Sequence, residues 1–157
     1  MTEVERIADQ MQRAFEREAW HGPALMELLG DVDAPTAAAH PVNRAHSIWE
    51  LVHHLTAWKR AIPRRMRGEA VELHGEDDWP PVEDFSEAAW KRALENLKSA
   101  HRELYQATLA LPAARLSDPV PNRPHNLRFM LHGMVQHDLY HAGQIALLKK
   151  ASSTERW

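Results

Sequence analysis

Ser47-Ile-Trp-Glu-Leu-Val-His-His-Leu-Thr-Ala-Trp-Lys-Arg-Ala-Ile62 is the stretch that decides the fold. Ser47 and Glu50 have the spacing of a capping box, in which each side chain bonds the other's backbone N–H. Ile48, Leu51, Val52, Leu55, Trp58 and Ile62 then recur every three or four residues, so one stripe of this helix must be buried. Pro63 loosens its end. Lys59, Arg60, Arg64, Arg65 and Arg67 lie where cations complement the carbonyl end of a helix dipole. Glu69, Glu72, Glu76, Asp77 and Asp78 follow closely enough to cancel their field, so this region reads as a solvated loop rather than an anion site.

The same period appears on both sides. Thr2 and Glu5 form another capping box, and Val4, Ile7, Ala8, Met11 and Phe15 carry a first helix to about residue 19. Gly22-Pro23 interrupts it, with Pro23 in the first turn of a second piece that holds Leu25, Met26, Leu28 and Leu29. Residues 31–44 read as a crossing loop. Downstream, Asp84 and Glu87 open a third helix of about 24 residues with Trp90, Ala93, Leu94, Leu97, His101, Leu104 and Thr108 on one stripe. Asn126 caps a last helix containing Leu127, Met130, Leu131, Met134, Ile145 and Leu148. No strand-like alternation competes, which leaves an all-α four-helix bundle as a single domain over 1–157.

Composition narrows the chemistry. With no cysteine, disulfides, thiolate metal sites and cysteine nucleophiles are excluded. Hydrophobic residues at 44% and charged residues at 26% describe an ordinary globular domain. A formal charge of -3 gives no general pull toward nucleic acid or anionic lipid. The N-terminal residues lack a signal-peptide pattern and no apolar run is long enough to span a bilayer, so a cytoplasmic location without membrane contact is expected. Histidine is the outlier, 11 of 157 residues, and in a cysteine-free chain it directs attention to borderline metals and acid–base chemistry.

Helical geometry sorts the histidines. His54 lies on the margin of the buried stripe of the second helix, while His53 points nearly opposite. His137 and His141 stand one turn apart on the inward sector of the last helix, about 6 Å along the axis, close enough to converge on one ion. The i, i+4 spacing arises about once by chance in a chain this rich in histidine, so spacing alone decides nothing. Three readings stay open: a metal site, core-margin histidines bonded to ordinary acceptors, or metal-free acid–base chemistry. Asp138 and Glu18 also project inward by periodicity and are candidates to accept a ligating ring's distal N–H. Trp58 is the best placed tryptophan to line a pocket, and Tyr140 is turned toward an edge.

His46-Ser-Ile-Trp-Glu-Leu-Val-His-His-Leu55 and Leu131-His-Gly-Met-Val-Gln-His-Asp-Leu-Tyr-His-Ala-Gly-Gln-Ile145 closely resemble the DinB-like superfamily of metal-dependent enzymes. Helix lengths, the long connection between helices one and two, and the Asp78-Trp79-Pro80 loop extend the resemblance over nearly the whole chain. The resemblance implies an up-up-down-down bundle with one divalent ion near one end, held by His54, His137 and His141. It also implies a homodimer, and relatives that are hydrolase-like or transfer low-molecular-weight thiols. Three neutral imidazoles leave open coordination positions, which favours zinc first and nickel next, with a bound water or thiolate activated there. The alternative is a non-enzymatic, metal-containing bundle that binds a partner or small ligand.

Overall fold

The structure is a computed structural model that describes residues 1–153; residues 154–157, Trp157 included, lie outside the described residues. Four long helices form the body: α1 (Glu3–Phe15), α4 (Ile48–Met66), α5 (Glu87–Leu109) and α6 (Leu127–Ser152). Two short ones, α2 (Leu25–Leu29) and α3 (Ala34–Ala38), lie in the connection between α1 and α4. Among the described residues there is no sheet, only an isolated antiparallel bridge between Pro119 and Asn126. No described helix is long and apolar enough to cross a membrane.

The capping boxes at Thr2/Glu5 and Ser47/Glu50 both form, and Asn126 accepts from the Phe129 N–H at the start of α6. Elsewhere local chemistry shifts the expected boundaries. Helix α1 stops at Phe15, because Glu16, Arg17 and Glu18 offer nothing to bury and Glu18 turns the chain at φ 61°. Pro35 sits in the first turn of α3 rather than in a loop, behind an Asp33 cap. Ser86, not Asp84, caps α5, and Asp84 instead accepts from the Ser86 N–H. Pro63 is carried inside α4, which runs on to Met66.

Helix direction follows from two apolar clusters. One gathers the end of α1 (Phe15), the starts of α4 and α5 (Trp49, Leu55, Trp90) and the end of α6 (Ile145, Leu148). The other gathers the opposite ends, with Val4, Met11, Ile62, Leu104 and Met134. Helices α1 and α6 therefore run one way and α4 and α5 the other. Around the ring of packed neighbours, α1–α6–α4–α5, the order is two up and two down. Along the chain it is up, down, down, up. The expected up-up-down-down arrangement thus describes the ring and not the order in sequence, because the 20 residues between α4 and α5 return the chain to the end from which α4 began.

Between the clusters lies a polar layer. Lys59 falls between Leu55 and Ile62 on α4, His101 between Leu97 and Leu104 on α5, and Asp138 between Met134 and Ala142 on α6, all buried. Lys59 Nζ lies 4.9 Å from the Phe15 ring centroid, and His101 stacks on the same ring at 3.7 Å. A buried charge left unpaired is costly, and the partner of Lys59 is Asp138.

Candidate metal centre

Helices α4 and α6 bring three imidazoles to one point. His54 Nε2 lies 3.1 Å from His137 Nε2, and His141 Nε2 lies 3.0 Å from the same atom. The register that buries Leu51, Leu55 and Ile62 turns His54 inward, and the register of Met134, Ala142 and Ile145 does the same for His141. His137, one turn earlier, is partly buried.

Hydrogen bonding fixes the protons. His54 Nδ1 lies 2.9 Å from the Asp78 carbonyl oxygen and 3.0 Å from its Oδ1, and His141 Nδ1 lies 2.6 Å from Gln144 Oε1. Those oxygens only accept, so both Nδ1 atoms donate and both Nε2 atoms present lone pairs. His137 Nε2 has at most one proton to share between two lone pairs. A hydrogen-bonded trio of neutral rings is therefore incomplete, whereas a cation at the shared point satisfies all three nitrogens. The donor set fits a divalent ion of borderline character. His137 Nδ1 is buried without a partner, so that ring is held by packing, with Trp58 5.7 Å away.

The surroundings keep these rings neutral. Burial, reinforced by His141, His54 and Lys59, pushes the His137 pKa down to about 3. Burial brings His141 to about 4 against the pull of Gln144, and lowers His54 against the pull of Asp78. Neutral imidazole is the form that ligates metals.

One wall is the loop before α5. Trp79 stacks on His54 at 3.9 Å and on His46 at 3.6 Å, lying against both rings. Asp78 Oδ1 accepts from Trp58 Nε1 at 2.7 Å, and the Pro80 carbonyl accepts from His53 Nδ1 at 3.1 Å. His53, which points away from the bundle axis, thus ties the loop to α4 instead of standing idle in solvent. Trp58 lines a cavity of about 310 Å³ between α4 and α6 that reaches His54 and His137.

Neither of the two residues expected behind the ligands bonds a histidine ring. Glu18 lies past the end of α1 with its side chain 72% exposed, paired at 3.7 Å with Arg13 rather than with a histidine ring. Asp138 is buried, but both its oxygens accept from Lys59 Nζ rather than from a histidine ring. The acceptors that orient the rings are Asp78 and Gln144. Gln144 was detectable in principle, since it stands three residues after His141 on the same helix face. Asp78 was not, because its approach depends on the path of a loop.

Fold and site together define a helical bundle with a buried three-histidine cluster suited to a divalent ion. A sequence profile of the DinB superfamily matches residues 18–145, and the chain belongs to that superfamily. Comparisons with curated proteins and with solved structures gave no match.

Proposed function

We propose that this protein is a metal-dependent enzyme, hydrolase-like or a low-molecular-weight-thiol transferase, that holds one divalent ion on His54, His137 and His141. The observation that carries the reading is the convergence of three Nε2 atoms, two of them with lone pairs fixed inward, beside a cavity that reaches two of the rings. A bound ion would supply Lewis acidity, lowering the pKa of a water or thiol at an open position. The chain's own residues set the conditions: Asp78 and Gln144 orient His54 and His141, while Trp79 covers one face of His54. Zinc is the first choice and nickel the second, and a cytoplasmic homodimer is the form proposed.

The experiment is metal analysis of the purified protein with an activity screen against esters, amides and thiol conjugation by bacillithiol, mycothiol or glutathione. Activity lost both on chelation and in His141→Ala supports the proposal. Stoichiometric metal with no turnover in any class points to the non-enzymatic alternative.

A further inference from the structure

Arg65 is a buried cation without an ion pair among the described residues. Its side chain is 4% exposed, and Nε and Nη2 both donate to the Val71 carbonyl, at 3.0 and 2.8 Å. Its guanidinium carbon lies 5.0 Å from the Trp58 ring centroid, and among the described residues it forms no ion pair, Glu72 acting on it only through longer-range charge. The expected solvated run of helix-end cations is therefore interrupted by a guanidinium inside the protein. A carbonyl and an aromatic face compensate only part of the cost of taking a full charge from water.

Arg65 is one of the residues that line the cavity reaching His54 and His137. A short hairpin-like loop, closed by Val120 N–H to the His125 carbonyl and Leu127 N–H to the Asp118 carbonyl, brings Arg123 and His125 to the same wall. Arg123 pairs with Glu72, whose charge reaches Arg65 only at longer range, which leaves Arg65 as the cavity-lining cation without a direct carboxylate partner among the described residues. The rest of the lining, from Trp58, Ile62, Met130 and Met134, is mainly apolar. At about 310 Å³ the space lies at the small end of ligand pockets.

We infer that the pocket binds a compact apolar molecule ending in a carboxylate or similar anion, its charge held by Arg65 and its other end directed toward the histidine cluster. The inference rests on the metal-site reading only for which end of the ligand reacts. Trp58, in contact range of both His137 and Arg65, is the surface along which the apolar body lies.

The test is calorimetric titration of the full chain with octanoate, octanamide and octylamine, in metal-stripped and zinc-loaded protein. Metal-stripped wild type should bind octanoate at least tenfold more tightly than octanamide and should not bind octylamine measurably. Arg65→Gln should abolish the preference. Glu72→Gln, which frees Arg123 from its competing partner, should tighten octanoate severalfold. The wild-type comparison and Glu72→Gln retain their force if Arg65→Gln fails to fold. Equal affinity for octanoate and octanamide in metal-stripped wild type overturns the inference. So does a preference that appears only with zinc and survives Arg65→Gln, which would place the carboxylate on the ion and leave the metal reading standing. A preference that depends on Arg65 in a protein that takes up no metal would keep the inference and remove the metal reading.

Discussion

Lys59 Nζ donates to both oxygens of Asp138, at 2.7 and 2.6 Å, with neither side chain exposed to solvent. This pair crosses from α4 to α6 next to His137 and is a second polar link, beside His54 and His137 themselves, between the two helices that supply the histidines. Its geometry accounts for the inward acid seen in the sequence by a cation and not by a ligand.

Removing one partner leaves the other buried and unpaired. Asp138→Ala should cost about 3–5 kcal/mol of folding stability. Replacing both, as in Lys59→Met with Asp138→Leu, should cost less than Asp138→Leu alone, because no charge is then stranded. Denaturant unfolding of the three variants checks this. An Asp138→Ala protein as stable as wild type would mean that Lys59 finds another partner.

Gln144 sets the donor side of His141, since its Oε1 lies 2.6 Å from Nδ1. Gln144→Leu should leave the helix intact and weaken metal binding by about 10–100-fold, the usual cost of losing an acceptor behind a histidine ligand. Competition titration against a chromophoric chelator reads the change. Unaltered affinity would show that packing alone aims the ring.

Legibility in the sequence follows how local each determinant is. The caps at Thr2, Ser47 and Asn126 and the stripes of α4, α5 and α6 depend on neighbours within a turn or two, so they could be read directly. Helical period places His54, His137 and His141 on or at the margin of inward faces but leaves three readings open, and the resemblance to the DinB-like superfamily is what joins them as one ligand set. The failures are at breaks in that period. Glu18 was assigned an inward face by extending α1 past Phe15, where nothing apolar sustains it. Asp78 and Trp79 reach His54 only through the return of a loop, and Arg65 is buried by the Val71 segment folding back over it, which no period encodes.

His141→Ala should retain most far-UV helical signal while reducing affinity for zinc on the order of a hundredfold, because two imidazoles cannot reproduce the chelation of three. Reloading after demetallation and measuring bound metal per chain separates this from poor occupancy during purification. Full affinity in the reloaded variant would remove His141 from the ligand set.

His101 offers a pH test away from the ion site. It stacks on Phe15 and contacts Gln12 Oε1 at 3.2 Å, and burial, with a smaller push from Lys59, lowers its pKa from 6.5 to about 2. The unfolded chain therefore binds a proton near pH 6.5 that the folded chain refuses until about pH 2. The stabilisation is complete above pH 6.5 and declines as acid is added through that window. Each such histidine contributes at most about 1.4 kcal/mol per pH unit to the slope. His54, His137 and His141 act in the same direction in metal-free protein, since their pKa values are also lowered. His101→Leu should therefore show a shallower loss of stability than wild type between pH 6.5 and 5, before the carboxylates titrate. Unfolding free energies at several pH values in that interval measure it. Parallel curves for the two proteins would mean that His101 is protonated in the folded state, with its ring and the adjacent Lys59 then requiring a rearranged polar layer.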